Sequence, residues 1–565
     1  MNLIRTLLFC LVLVHAGAAE AAFYLVGNAN DQDCTHSFAQ AVAAANANPG
    51  RDTIFLGFDQ AGVAVDITDD LDIVGGFTSC EASELTGFRT TLIGNGANTA
   101  LFVDNTADLR LYDVAITNGG SNANAIGGAI WKNGQGAIEL HNVELYGNRS
   151  LNGGGMYVSA GAMALLYAGT RIHENTAQRG GGIFVDEATL RMDNADVAIY
   201  LNNAILGAVN GDRYGGGIYA TGTASRQAEI SSLPLSWDGP GSPVPPTYGT
   251  RIYLNVARDG GGIYANPHTS VTLLETTLYD NTATRYGGGI FLLGASLQML
   301  RRYSVVGSMT PLCTGAFGCS ALRHNMADWS GAAVSLWNGA SAHIAQTSIS
   351  GNIARDSTFD SYTQSTLSGL NNRLTIEASV IAGNTCTQAV GTCHTISMTQ
   401  TNNHSELTLR HVTMADNAAL NNGFSAEIST HPSNPGDTNV SILSSIIEPG
   451  AGMDVFSANS VSIFSNDCLM APGPLPATST RSLQRAAPYR FVARAARDYR
   501  LGDAEPGIDG CDSANIAADT MLTLAPDLGY YGSVDDADVP NRLGGASTHD
   551  LGAFEMTPLL RNGFE

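Results

Sequence analysis

The chain of 565 residues carries 51 acidic against 28 basic side chains, a net charge of −23, with 64 glycines and 14% charged residues. That balance argues against nucleic acid and anionic membranes as partners, because both would be repelled. Many glycines, one lysine (Lys132) and few charges point to one extended all-β chain rather than a row of compact domains of about 150 residues.

Residues 1–22 read as a secretory signal: Arg5 is the positive flank, LLFCLVLV the apolar core, and small residues around Ala18 to Ala22 the cleavage site. No later segment reaches about 18 uninterrupted apolar residues, so no transmembrane segment is expected in the mature chain. Eight cysteines follow the signal: Cys34, Cys80, Cys313, Cys319, Cys386, Cys393, Cys468 and Cys511. An even count in an exported chain predicts disulfides. Cys313/Cys319 and Cys386/Cys393 each bracket a short loop; Cys34–Cys80 and Cys468–Cys511 are the expected remaining pairs, although connectivity stays open at this level. Paired CxxC motifs with histidines nearby are absent, so no resident metal is expected.

Residues 23–90 read as an N-terminal cap. Ser37 is a helix N-cap for SFAQAVAAANANPG, which stops at Asn-Pro-Gly. A helix there would cover the first coil of whatever follows.

From 91 to 470 the chain repeats. An apolar-x-x-Asn motif ends at Asn148, Asn175, Asn202, Asn255, Asn281, Asn325, Asn352, Asn384 and Asn417, at spacings of 27, 27, 53, 26, 44, 27, 32 and 33. Between the asparagines stand GGAIW, GGGMY, GGGIF, GGGIY (twice) and GGGIF. Three short alternating runs per 26 to 27 residues, with no helical pattern between them, predict one turn of a right-handed parallel β-helix. The spacing of 53 holds a single glycine motif and so reads as one enlarged unit. A stacked Asn can satisfy corner backbone groups, and glycine permits positive φ and close approach between coils. A phosphate loop would need GxxxxGK[ST] or GxGxxG between strand and helix, and neither context occurs.

The repeat aligns Trp131, Tyr157, Phe184, Tyr219, Tyr264 and Phe291 at one position, with Ile130, Met156, Ile183, Ile218, Ile263 and Ile290 beside them. Alternation puts the aliphatic set inside and the aromatic set outside. The outer ladder can contact a ligand such as a sugar, or its rings can stabilise one another beneath a covering segment. Two insertions, 233–249 and 301–319, fall between second and third strands with one ordinary coil between them. They are expected to project from one side, with Trp237, Tyr248, Arg301, Arg302 and Tyr303 as further contact candidates.

Residues 471–565 form a closing region and tail. Six arginines lie between 481 and 500, and DYRLGDAEPGIDGCD, THDLGAFE and LLRNGFE follow. The glycine and asparagine motifs, Gly127-Gly128-Ala129-Ile130 above all, resemble the right-handed β-helix superfamily of pectate lyases, and more closely bacterial surface proteins of the polymorphic outer-membrane type. Asp550, Gly552, Ala553, Phe554 and Glu555 resemble the end of a choice-of-anchor Q domain. Cys34, the cap helix and RDTIFL are similar to CSLREA-type β-helix proteins, without their Leu-Arg-Glu-Ala run. The resemblance implies secretion or a place on the surface of a Gram-negative bacterium.

Catalysis has less support. The polygalacturonase pattern of N-x-D, D-D, G-H-G and R-I-K is missing, and Asp69-Asp70 stands alone in the cap. The W-I-D-H run of pectate lyases is missing as well. Asp186, Asp193 and Asp196 on one coil offer a weak Ca²⁺ site, and Asp535, Asp536 and Asp538 another; solvated turn carboxylates explain both sets. The expected function is an adhesin-like or carbohydrate-contacting surface protein. A polysaccharide lyase or hydrolase with a divergent site is the alternative.

Overall fold

The computed structural model describes residues 21–27, 34, 36–79, 87–123, 126–193, 196–207, 211–233, 249–300, 320–363, 372–387, 393–400, 405–420, 425–432, 438–450, 453–457, 463–472, 479–480, 483–484, 488–493, 498–501, 511–512 and 548–549. The expected signal core, Cys80, the two insertions and the Asp550–Glu555 motif lie outside them.

The coil ending at Asn202 shows how sequence becomes structure. In Ile183–Asp186 the alternation sends Ile183 and Val185 into the core, both fully buried. Thr189–Met192 buries Leu190 and Met192, and Ala198–Tyr200 buries Ile199. Each position then pairs in parallel with its equivalent one coil later: Ile183 with Ile218, Leu190 with Ile230, Ile199 with Ile252. Like therefore stacks on like, and each buried Ile or Leu contributes roughly 1.5–3 kcal/mol. The result is an all-β parallel β-helix.

Among the described residues the strands form long parallel sheets of 27, 13 and 8 strands. The 13-stranded sheet carries the glycine motifs. The 27-stranded sheet takes the second and third strands of each coil, which meet at a corner of positive φ, as at Asp113, Asn142 and Asp196. Toward the C-terminal coils the two strands fuse into single bent ones, Asn372–Ala382 and Ser405–Ala415, with Ala378 and His411 at the bend. Three strands per coil were expected from the sequence. The structure adds a fourth, a two-residue strand after the asparagine such as Asn203–Ala204, which builds the 8-stranded sheet.

The insertions sit where the repeat predicts. Asn202 bonds to Asn255 and Asn281 to Asn325 as adjacent rungs, so the spacings of 53 and 44 are each one enlarged coil. The described chain leaves the coil after Leu233 and after Leu300, and rejoins it at Gly249 and Ser320.

The N-terminal end is plugged by the helix Phe38–Ala47. Ser37 Oγ accepts from Gln40 N at 3.3 Å and Gln40 Oε1 accepts from Ser37 N at 3.0 Å, a reciprocal capping box. Phe38, Ala41, Val42 and Ala45 face the core. Asp70, from the expected lone pair Asp69-Asp70, joins Asp72 and Asp108 around the Arg51 guanidinium. Cys386 and Cys393 form the short-loop disulfide, with Cα atoms 5.7 Å apart. Cys34 and Cys468 are disulfide-bonded as well.

Candidate ligand-contact face

The asparagines make the corner rigid. Asn175 Nδ2 donates to Asn202 Oδ1 at 3.0 Å and to Leu145 O at 2.8 Å, while Asn175 N donates to the same Oδ1 at 3.2 Å. The pattern repeats from Asn148 to Asn417, so each buried carboxamide is satisfied by the coil above and the coil below. The residue before every ladder asparagine has positive φ, including Leu201 and Leu254 at 55°.

The triple glycine answers to this ladder. Gly180 has φ +63°; a Cβ on Gly181 would lie 2.5 Å from Gly216 O, and one on Gly182 would lie 3.1 Å from Asn202 Cγ. The first glycine sets the turn, and the other two let coil and ladder touch.

The expected aromatic ladder exists, on the outer side of the glycine sheet. Trp131 pairs with Tyr157, Tyr157 with Phe184, Phe184 with Tyr219, Tyr219 with Tyr264 and Tyr264 with Phe291. Phe102 adds a rung below Trp131 at 4.5 Å, and Ser335 ends the series above Phe291. Five of these rings are closed off, whereas Trp131 is only partly buried. Tyr157 is 8% exposed and Phe184, Tyr219, Tyr264 and Phe291 only 4–5%. The residues just before the glycines roof them: Tyr214 stacks on Tyr264 at 4.6 Å, Arg179 lies 5.7 Å over Phe184, and Tyr286 packs beside Phe291; Trp337, from the next strand of the sheet, packs there too. Burial raises the pKa of the Tyr157, Tyr219 and Tyr264 phenols. The Tyr157 hydroxyl donates to Asp186, and the Tyr219 hydroxyl accepts from Asn266 Nδ2 at 2.8 Å. Rings packed in this way stabilise one another.

A second aromatic column stands on the long sheet. Tyr146, His173, Tyr200, Tyr253 and Tyr279 occupy one register position in five successive coils. Their centroids are 5.5, 4.6, 4.8 and 4.6 Å apart, with planes within 12° of parallel. The Arg323 guanidinium lies 5.1 Å over Tyr279 and closes the series. The four tyrosines are half-buried, and among the described residues their hydroxyls take no hydrogen bond. Burial raises the pKa of the Tyr200 and Tyr279 phenols, so they remain neutral donors at physiological pH. These residues are the second letter of the motifs LYGN, IHEN, IYLN, IYLN and LYDN. The signal was in the sequence, inside the marker that fixed the fold.

Charges beside the column are paired. Asp196 bridges Arg171 at 2.6 Å and Arg251 at 2.7 Å, and Glu144 meets His173 at 2.7 Å and Arg89 at 3.6 Å. The carboxylates expected as a weak Ca²⁺ set therefore go separate ways: Asp186 to Tyr157, Asp196 to two arginines, and Asp193 into a buried position. Among the described residues no group of three His, Cys, Asp or Glu side chains is placed to hold a metal ion. Trp237, Tyr248, Arg301, Arg302, Tyr303, Asp535, Asp536 and Asp538 lie outside the described residues.

Fold and face together define a parallel β-helix with a closed aromatic ladder on one sheet and an open tyrosine column on another. No known family model matches the chain, and no curated protein matches it. Among the described residues no helix is long and apolar enough to cross a membrane.

Proposed function

We propose that this protein is an exported, cell-surface β-helix that holds an extended carbohydrate along its side without cleaving it. The observation that carries the reading is the column Tyr146–His173–Tyr200–Tyr253–Tyr279, regularly stacked, with tyrosine hydroxyls that take no hydrogen bond among the described residues. Aromatic residues with a polar tip suit a ligand that is part apolar and part hydroxylated. A rigid solenoid loses little conformational entropy when it binds. The signal-like N-terminus and the likeness of the GGAI and apolar-x-x-Asn motifs to polymorphic outer-membrane-type repeats support placement on a Gram-negative surface. The broader likeness to the pectate-lyase superfamily is one of fold.

Polysaccharide cleavage is the competing reading. It asks for two carboxylates free to shuttle protons, whereas Glu144 and Asp196 beside the column are tied to arginine and histidine. A glycan array probed with the mature chain, with and without Ca²⁺, tests the proposal. Retention of glycans in both conditions, with no unsaturated or shortened product, is the expected result. Calcium-dependent release of unsaturated oligosaccharides would replace it with a lyase.

A further inference from the structure

We infer, on the carbohydrate reading above, that the column selects a neutral, unbranched polysaccharide segment of about four or five sugars, gripped by hydroxyl-to-hydroxyl hydrogen bonds rather than by ring stacking. Ring orientation is the first argument. Neighbouring planes lie 10°, 12°, 6° and 4° from parallel at close centroid spacing, so each ring face is covered by the next ring. A sugar has no free face to lie on, except at the ends of the column. What the tyrosines offer to solvent is edges and hydroxyls.

Spacing is the second argument. The phenols of Tyr200, Tyr253 and Tyr279 repeat with the coil, about 4.8 Å apart, which is comparable to one sugar residue in an extended chain; Tyr146 stands two rungs before Tyr200, with the His173 imidazole between them. Five rungs span about 19 Å. A ligand lying parallel to the solenoid axis can meet four phenols over that length, one per sugar except at the His173 rung, and adding sugars beyond it adds no contact.

Charge is the third. The strands and corners that carry or touch the column bring four arginines, Arg89, Arg171, Arg251 and Arg323, and four carboxylates, Glu144, Glu174, Asp196 and Asp280. The face is thus locally balanced while the whole chain carries −23. A uronate polymer would find no net positive patch and would be repelled at long range. A neutral polymer meets neither obstacle.

The test uses the full mature chain and linear neutral gluco-oligosaccharides of two to six units, with the matching oligouronates in parallel, measured by calorimetry. Affinity for the neutral series should climb roughly fivefold per added sugar, about one hydrogen bond each, and flatten at four or five units. A variant with Tyr146, Tyr200, Tyr253 and Tyr279 all changed to Phe keeps the ring stack and removes only the hydroxyls. It should retain the parent's thermal midpoint and lose at least tenfold in affinity. Preference for the uronates, affinity independent of length, or a Phe variant that binds like the parent would overturn the inference and leave carbohydrate binding standing. Absence of binding to every glycan on the array would remove the carbohydrate reading and this inference with it.

Discussion

Glu427 stands in for an asparagine that is missing from the end of the ladder. Its Oε2 accepts from Asn417 Nδ2 at 3.1 Å and its Oε1 accepts from Gly450 N at 3.1 Å. Gly450 falls one coil after Asn417, where the next rung would be, and it has no side chain to offer an oxygen. A Cβ at Gly450 would lie only 1.5 Å from Asn417 O, so no asparagine fits there. The fully buried Glu427 reaches in from the glycine sheet and supplies the acceptor.

This substitution makes the ladder's end sensitive to pH. Burial pushes the Glu427 carboxyl up to about 7 from an ordinary 4.5, against the pull of its hydrogen-bond donors. Between those values the folded chain keeps a proton that the unfolded chain has lost, so stability falls as pH rises from 4.5 to 7 and stays lowered above it. The change attributable to this group is about 3 kcal/mol. Urea midpoints at pH 5 and pH 8 for the parent and Glu427→Gln measure it: the fall with pH should shrink markedly in the variant. An identical fall in both proteins would show that other groups set the profile.

Lys132 acts at the opposite end of the pH scale. It is the chain's one lysine, fully buried, with Nζ on Asn105 O at 2.5 Å. Burial lowers its pKa from 10.5 to about 8, although Asp108, Asp104 and Asp70 partly offset the effect. The unfolded chain holds the proton between 8 and 10.5 when the folded chain does not, so this residue makes stability rise with pH across that window. Lys132→Met should abolish the rise, a difference of about 3 kcal/mol between the ends of the window. Thermal midpoints of both proteins at pH 8 and pH 10 check it.

A mid-ladder asparagine should be among the costliest residues to lose. Asn202→Ala takes the shared acceptor from the buried Asn175 N and from one N–H of Asn175 Nδ2, which keeps only its bond to Leu145 O. The expected loss is about 3 kcal/mol or more. Asn202→Asp restores the acceptor but loses the amide donors to Asn255 Oδ1 and Ile172 O, and it buries a charge. It should therefore be no better than alanine at pH 8 in chemical denaturation. Recovery of parental stability by Asp would mean that the acceptor alone matters.

Strain at the neighbouring position predicts a gain. Leu254 holds φ 55° and is 41% exposed, so it combines a conformation disfavoured for its side chain with little burial to compensate. Leu254→Asn should raise stability by up to about 1 kcal/mol, since asparagine enters this region more readily. Differential scanning calorimetry would show an upward shift of the midpoint; a downward shift would mean that Leu254 packing outweighs its backbone strain.

Much of the architecture was legible because the sequence repeats what stacking requires. Asn175 and Asn202 mark corners, Gly180 to Gly182 mark the contact between coils, and the spacings of 53 and 44 gave the enlarged coils. The outward placement of Phe184 was legible too, since alternation tells inside from outside. Alternation does not tell what covers the outside: Arg179, Tyr214 and Tyr286 come from the corner before the glycines, and only the closed coil brings them over the rings. Phe102 carries no such mark in the sequence, because its coil lacks the triple glycine. The tyrosine column lay within the asparagine motif itself, at a letter that varies among Tyr, His, Arg, Ser and Ala. Glu427 could not be read from the sequence, because it serves a rung 10 residues earlier by way of a position, Gly450, that breaks the repeat.

The most direct test of the account sets the two aromatic features against each other in one binding titration with a linear neutral polysaccharide. The parent, a Phe184→Ala variant of the closed ladder and the fourfold Tyr→Phe variant of the open column are compared at pH 8, with folding of each checked by circular dichroism. The account predicts parental affinity for folded Phe184→Ala and at least a tenfold loss for the column variant. Loss of binding in folded Phe184→Ala, with the column variant unaffected, would contradict it.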